Sequence, residues 1–221
     1  DCAKLVALHV DSANPVYCSS GDGVVFSKDK ATLVRYPSGR AGNYWVPDTV
    51  TNIGNDAFVG SRALTGIGMP PSVTHIGSWA FADCTRLTRV TLSSRLNRIG
   101  EYAFWGCAGM PEITLPESVT DLAYFTFAHC HSLASATIPC GVTLMGPNLF
   151  RDCSRLTNIV VDAANPVFCS VGGVVFDKQK TRLISFPCGK AGCYEVPGGV
   201  TGIDQSAFRR AGNVTCVHLP D

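Results

Sequence analysis

The chain has 221 residues, long enough for one or two ordinary domains with a proper core. Its 18 basic and 17 acidic side chains leave a net charge of +1, within a composition that is 46% hydrophobic and 16% charged. So even a balance sets up no long-range field for nucleic acid or an anionic membrane surface, and no apolar run nears the ~18 residues of a membrane span, so neither nucleic acid nor a bilayer is expected as partner.

The chain opens at Asp1, with no initiator Met and no basic-then-apolar leader, as after removal of a signal or after trimming of a longer sequence. From Cys2 it runs CAKLVALHVDSANPV, which matches CSRLTNIVVDAANPV from Cys153, so it starts inside a unit that recurs later. From about 14 to 49 comes a variant unit with two β-rich runs around a polar turn, Val24 to Phe26 and Leu33 to Tyr36, then a Gly-rich turn before Tyr44 to Val46. Five regular units of 23 residues follow over 50–164, beginning at Val50, Val73, Leu96, Val119 and Val142. A second copy of the variant unit occupies about 165–199, and a partial unit fills 200–221. A constant period of this kind marks a repeat solenoid, in which neighbouring units bury what one unit cannot.

The unit VTHIGSWAFADCTRLTRVTLSSR from Val73 shows the grammar. Val90 and Leu92 alternate with Arg89 and Thr91, as in a short half-buried strand. Ala80, Phe81 and Cys84 recur at helical spacing, which predicts one or two helical turns over Gly77 to Cys84, with Gly77 admitting a tight bend. Stacking then places Phe58, Phe81, Phe104, Phe127, Phe150 and Phe208 in one inward column. The expected fold is an α/β solenoid, one domain over 1–221, with short parallel strands on one face and short helices or turns opposite.

The I-G-x-x-A-F-x-x-C run (Ile76 to Cys84, Ile99 to Cys107), the L-x-x-V-x-L strand after it and the variant-unit pattern D-G-V-h-F…Y-P…Y-x-V-P resemble the BspA-like, or treponemal-type, leucine-rich repeats of bacterial surface proteins. The resemblance spans nearly the whole chain. It implies a right-handed superhelix with its strands on the concave face, a secreted, periplasmic or surface-attached protein, and recognition of a protein or glycan, with host adhesion as the usual role. A structural spacer within a larger surface protein is the alternative, and an enzyme a distant third. Ala123 and Asp204 depart from the repeat glycine, Thr126 and Leu149 from the alanine, and Ser61 and Ala211 from the cysteine.

Candidate sites lie at positions that vary. The outward strand residues Arg89, Thr91, Glu112, Thr114, Ser135, Thr137, Asn158 and Val160 form a small, polar, nearly neutral surface suited to a protein or glycan, or merely a solvated sheet. Trp79, Tyr102 and Phe125 share one slot that elsewhere holds Asp56, Asn148 and Ser206; with Trp105 and Tyr124 they make either an exposed interaction stripe or padding folded over the core. Cys84, Cys107, Cys130 and Cys153 recur every 23 residues at a slot that also accepts Ser and Ala, which favours core packing over disulfides or a metal. Cys188 and Cys193 are present together in the second variant unit and absent together from the first, where Ser38 and Asn43 stand, so a disulfide between them is weighed against two free thiols. In His129-Cys130-His131 the cysteine is the repeat cysteine and the histidines flank it on a turn. No acid–His–nucleophile set falls on related coil positions, so no catalytic residue, metal or cofactor is expected. Asn213-Val214-Thr215 is a glycosylation sequon, meaningful only in a eukaryotic secretory setting. The last coil ends on apolar Phe208, Val217 and Leu219, which invites self-association there.

Overall fold

The structure, a computed structural model, describes residues 2–220, so the final residue of the partial unit lies outside the described residues. It is a β-solenoid of about eight coils. Each regular coil adds a rung to three successive ladders. The first contains the parallel two-residue strands Asn52–Ile53, His75–Ile76, Arg98–Ile99, Asp121–Leu122 and Leu144–Met145, each in register with the residue 23 positions on. An antiparallel meander from the first variant unit, Tyr17–Ser19, Val25–Ser27 and Thr32–Arg35, joins it at one end and completes an eight-stranded sheet. The second ladder is formed in two blocks, Gly42–Trp45 with Leu64–Gly68 and Arg89–Thr91, then Glu112–Thr114 with Ser135–Ile138 and Asn158–Val161.

The third ladder corrects the expected α/β class: among the described residues there is no helix. Where helical turns are predicted, the segment from Gly77 to Cys84 folds as tight turns whose alternate N–H groups reach the next coil. Trp79 N donates to Glu101 O (2.9 Å), Phe81 N to Ala103 O (2.7 Å) and Asp83 N to Trp105 O (2.8 Å). An α-helix from Gly77 would leave only its first four N–H groups free and would turn those of Phe81 and Asp83 back on its own segment. Left-handed backbone at Trp79 (φ 58°) and Asp83 (φ 58°) also stops a right-handed helix twice within five residues. The same pair recurs at Asp56 and Gly60, Tyr102 and Gly106, Phe125 and His129, and Asn148 and Asp152. The repeat glycine has a different role from the expected bend: a Cβ on Gly77 would fall 2.6 Å from Asn55 N and 2.8 Å from Gly54 C. Its missing side chain lets adjacent coils close up.

Phe58, Phe81, Phe104 and Phe127 are fully buried and Phe150 nearly so, their rings stacked at 4.8, 5.1, 5.5 and 5.7 Å between centroids. Phe208 stands apart, half-buried in a second, smaller core with Phe186 and Tyr194. Beside the Phe column runs a column of thiols. Cys84, Cys107, Cys130 and Cys153 are buried and unbonded, and each Sγ donates to the carbonyl of the preceding coil's Phe: Phe58 (3.2 Å), Phe81 (3.2 Å), Phe104 (3.3 Å) and Phe127 (3.1 Å). The slot therefore takes a small residue that packs as a hydrophobe and also satisfies a buried acceptor. Burial pushes the Cys84 thiol up to about 12 and raises the other three as well.

Candidate functional site

The outward strand residues form two exposed columns. Glu112, Ser135 and Asn158 align in one, and Thr114, Thr137 and Val160 in the other. Arg89 and Thr91 align instead with Gly66 and Gly68 in the first block, so the eight residues do not make one unbroken sheet. On this first block lies a residue that sequence reasoning missed. Trp45 is 72% exposed and lies over Gly68, where a Cβ would fall 2.1 Å from the indole ring. Among the described residues Gly66-Ile67-Gly68 is the only repeat strand with glycine at both outward positions, and that pairing with a tryptophan one coil earlier was the available signal.

The aromatic slot is built differently. Trp79 stacks on Tyr102 at 4.1 Å and 7°, and Tyr102 on Phe125 at 5.0 Å and 4°. The Arg151 guanidinium covers the far end, 5.9 Å above the Phe125 ring. At the other end the preceding coil carries the short Asp56, so among the described residues no ring covers that side of Trp79, which is 38% exposed. Trp105 flanks the stack, 6.1 Å from Trp79 and 5.0 Å from His129. Tyr124 is exposed and, among the described residues, outside these ring contacts. All three stacked residues sit in left-handed backbone, a conformation that Asp and Asn enter easily and aromatic residues do not. His129 lies 3.5 Å from Asp152, and burial, ahead of the opposing pull of Asp152, holds its imidazole below the usual histidine range; His131 is exposed and Cys130 buried.

The expected Cys188–Cys193 bond is not formed. Cys193 is bonded to Cys216, 23 residues on and directly opposite it across the parallel strands Gly192–Glu195 and Val214–His218, with Cα atoms 4.5 Å apart. Cys188 instead lies buried, its thiol donating to Phe150 O at 3.4 Å. It thus extends the repeat-cysteine column by one coil, facing the core while Cys193 faces outward.

A cleft of about 300 Å³ opens between the last regular coil and the second variant unit, lined by residues including Met145, Asn148, Arg151, Arg182, Ile184 and Asp204. Arg182 and Asp204 form an ion pair there, and among the described residues the buried Asn148 Oδ1 has no partner. No sequence signal marks it, because it arises where the first ladder ends at Leu144–Met145 and a separate sheet begins.

A model of the BspA-type leucine-rich repeat region matches residues 41–165, in six copies, more than half of the chain. The chain belongs to the BspA-type leucine-rich repeat family. No match emerges among curated protein sequences. Solved structures agree at the level of the fold. A leucine-rich repeat protein from Eubacterium ventriosum aligns with a TM-score of 0.67 at 20% identity, over 92% of this chain and 60% of that one. The pneumococcal vaccine antigen PcpA gives 0.61 at 24% identity, over 94% and 54%. A leucine-rich cell surface protein from Faecalibacterium prausnitzii gives 0.50 at 22%, over 94% and 74%. This chain thus spans only about 60% of the first of these and 54% of the second.

Proposed function

We propose that the chain is a non-catalytic recognition module whose protein or glycan partner docks on the stack of Trp79, Tyr102 and Phe125. One observation carries this reading: three aromatic residues occupy left-handed backbone that Asp56 and Asn148 fill in sister coils. A residue without that preference costs about 1–3 kcal/mol there, and strain of this kind collects at functional sites. Stacked rings with an open end at Trp79 supply a rigid apolar surface with a cationic edge at Arg151. The strand face, with Trp45 on its glycine shelf, is the second surface in the same role. Membership of this repeat family and the likeness to a cell surface protein support a location outside the cytoplasm, at the cell surface or in the periplasm, and we place adhesion within the same proposal.

The test is retention of the chain on a panel of immobilised matrix proteins and glycans. The wild type is expected to bind at least one member, and Trp79→Asn/Tyr102→Asn/Phe125→Asn to lose it while remaining folded; Trp45→Ala reads the strand face in the same assay. No retention, or retention indifferent to all four substitutions, would leave the spacer role. We also hold self-association as part of this reading. Val217 on the last strand and Leu219 just after it are 39% and 66% exposed, and sedimentation velocity across a concentration series should show a dimer that Leu219→Lys abolishes.

A further inference from the structure

The outward face of the last two strands carries a square of chemically active side chains. Cys193 stands opposite Cys216, and Glu195 opposite His218. Side chains two apart on a strand share a face, so Cys193-x-Glu195 and Cys216-x-His218 present all four to one side. The two Sγ atoms and a ring nitrogen of His218 lie within 4.8 Å of one another. Tetrahedral zinc, with bonds of about 2.3 Å to sulfur and 2.0–2.1 Å to nitrogen, sets its ligand atoms roughly 3.5–3.8 Å apart, so the two sulfurs, bonded to each other here, must part and the ring nitrogen need close in by no more than about an ångström.

These residues are also accessible. Cys193 and His218 are exposed and Cys216 half-buried, unlike the repeat cysteines, which lie in a buried line and spend their thiols on carbonyl groups. The corresponding positions of the first variant unit and of the coil after it are Asn43, Trp45, Gly66 and Gly68, which offer no thiol or imidazole. The backbone register therefore does not demand these four residue types; they are peculiar to the C-terminal pair.

We propose that this square is a redox-gated metal site. With the Cys193–Cys216 bond closed, no thiolate is available and the site holds no cation. Reduction opens it, and Cys193, Cys216 and His218 then bind a thiolate-preferring divalent cation of the zinc class, with Glu195 or a water in the fourth position. The chemistry balances with a phosphine as reductant. The phosphine takes oxygen from water to become its oxide, the disulfide gains two electrons and two protons, and two thiols result. The cation then displaces both thiol protons and is held by two thiolates and the neutral imidazole. Two sulfurs and one imidazole suit zinc rather than calcium or magnesium, which take oxygen ligands. Hydrogen peroxide as oxidant reverses the step: it takes two electrons from the two thiolates and two protons from water to become two molecules of water, the sulfur–sulfur bond forms, and the cation is released.

The test uses the whole chain and Co²⁺ as an optical probe. After phosphine reduction under argon and removal of the reductant, Co²⁺ should raise a thiolate-to-cobalt charge-transfer band together with the visible bands of a tetrahedral site, and Zn²⁺ should bleach both. The oxidised protein should show neither. His218→Ala, an exposed position whose loss leaves the core intact, should weaken Co²⁺ binding by at least the roughly 10–100-fold that loss of an outer-shell partner costs. Cys193→Ser/Cys216→Ser should abolish the charge-transfer band. If reduced wild-type protein shows no such band, or if the doubly substituted protein shows the same band, the proposal is wrong.

Discussion

The two variant units share one backbone and carry opposite surfaces. In the first, Tyr36 and Tyr44 pack inward against Phe58 of the coil that follows, with Tyr36 meeting Tyr44 at 5.0 Å and 60° and Phe58 at 4.8 Å and 28°. In the second, Phe186 meets Tyr194 at 4.9 Å and 69° and Phe208 at 4.8 Å and 29°. Even the bulge recurs, between Gly42 and Asn43 in one and between Gly192 and Cys193 in the other. Outward, a tryptophan on a glycine shelf in the first unit is replaced by a disulfide beside Glu195 and His218 in the second. Packing constrains the inward set because each ring must fit its neighbours in adjacent coils. Nothing comparable constrains the outward set, so function has a free hand there.

The inward likeness hides a difference in burial, and breaking it should give the largest effect. Phe58 is sealed by the next coil, whereas Phe208 is half-buried in the second core. Phe58→Ala should cost about 3–5 kcal/mol, as for other core aromatics, and Phe208→Ala less than half of that in chemical denaturation. Equal losses would mean that the second core is as closed as the first.

A second difference sharpens under alkali. The thiol column runs from Cys84 to Cys188 and stops short of the first variant unit, where Ser38 takes the corresponding place and donates to Cys2 O. Burial raises these thiols in the fold, Cys84 from 9.0 to about 12, so the unfolded chain ionises first. Their contribution is intact below pH 9 and is lost as the pH climbs toward 12. Hydrogen exchange above pH 9 should show opening in the coils around Cys84 to Cys188 before the meander at Tyr17–Arg35. Simultaneous opening of both regions would count against the thiols as its cause.

The shelf under Trp45 gives a smaller effect. Gly68→Ala places a methyl group inside the indole ring, and an exposed ring can swing away. Stability should change by less than about 1 kcal/mol, while the Trp45 indole resonance moves in two-dimensional NMR. An unmoved resonance would contradict the contact.

How much of this was legible in the chain depends on how each feature is encoded. The 23-residue period, the Phe column and the family could be read because stacking forces the same residue into the same slot in every coil. The turns over Gly77 to Cys84 could not, since Ala80, Phe81 and Cys84 fit helical spacing and tight turns equally. Left-handed backbone at Trp79 is unexpected for an aromatic, although Asp56 and Asn148 in the same slot hinted at it. The partner of Cys193 was within reach, because Cys216 lies one period on, but the joint presence of Cys188 and Cys193 in one variant unit, against Ser38 and Asn43 in the other, pointed to Cys188. Trp45 and the cleft beside Asn148 depend on contacts between unlike units, which periodicity does not reveal.

The central claim is that the Trp79–Tyr102–Phe125 stack serves a partner rather than the fold, and Tyr102 and Phe104 test it within one coil. Tyr102→Asn trades a half-buried ring for the residue type that the left-handed slot accepts, whereas Phe104→Ala empties the core. Chemical denaturation of the two variants is the deciding measurement. The expected losses are about 1 kcal/mol or less for Tyr102→Asn and about 3–5 kcal/mol for Phe104→Ala. Equal losses would make the stack core padding and remove the basis for a docking surface there.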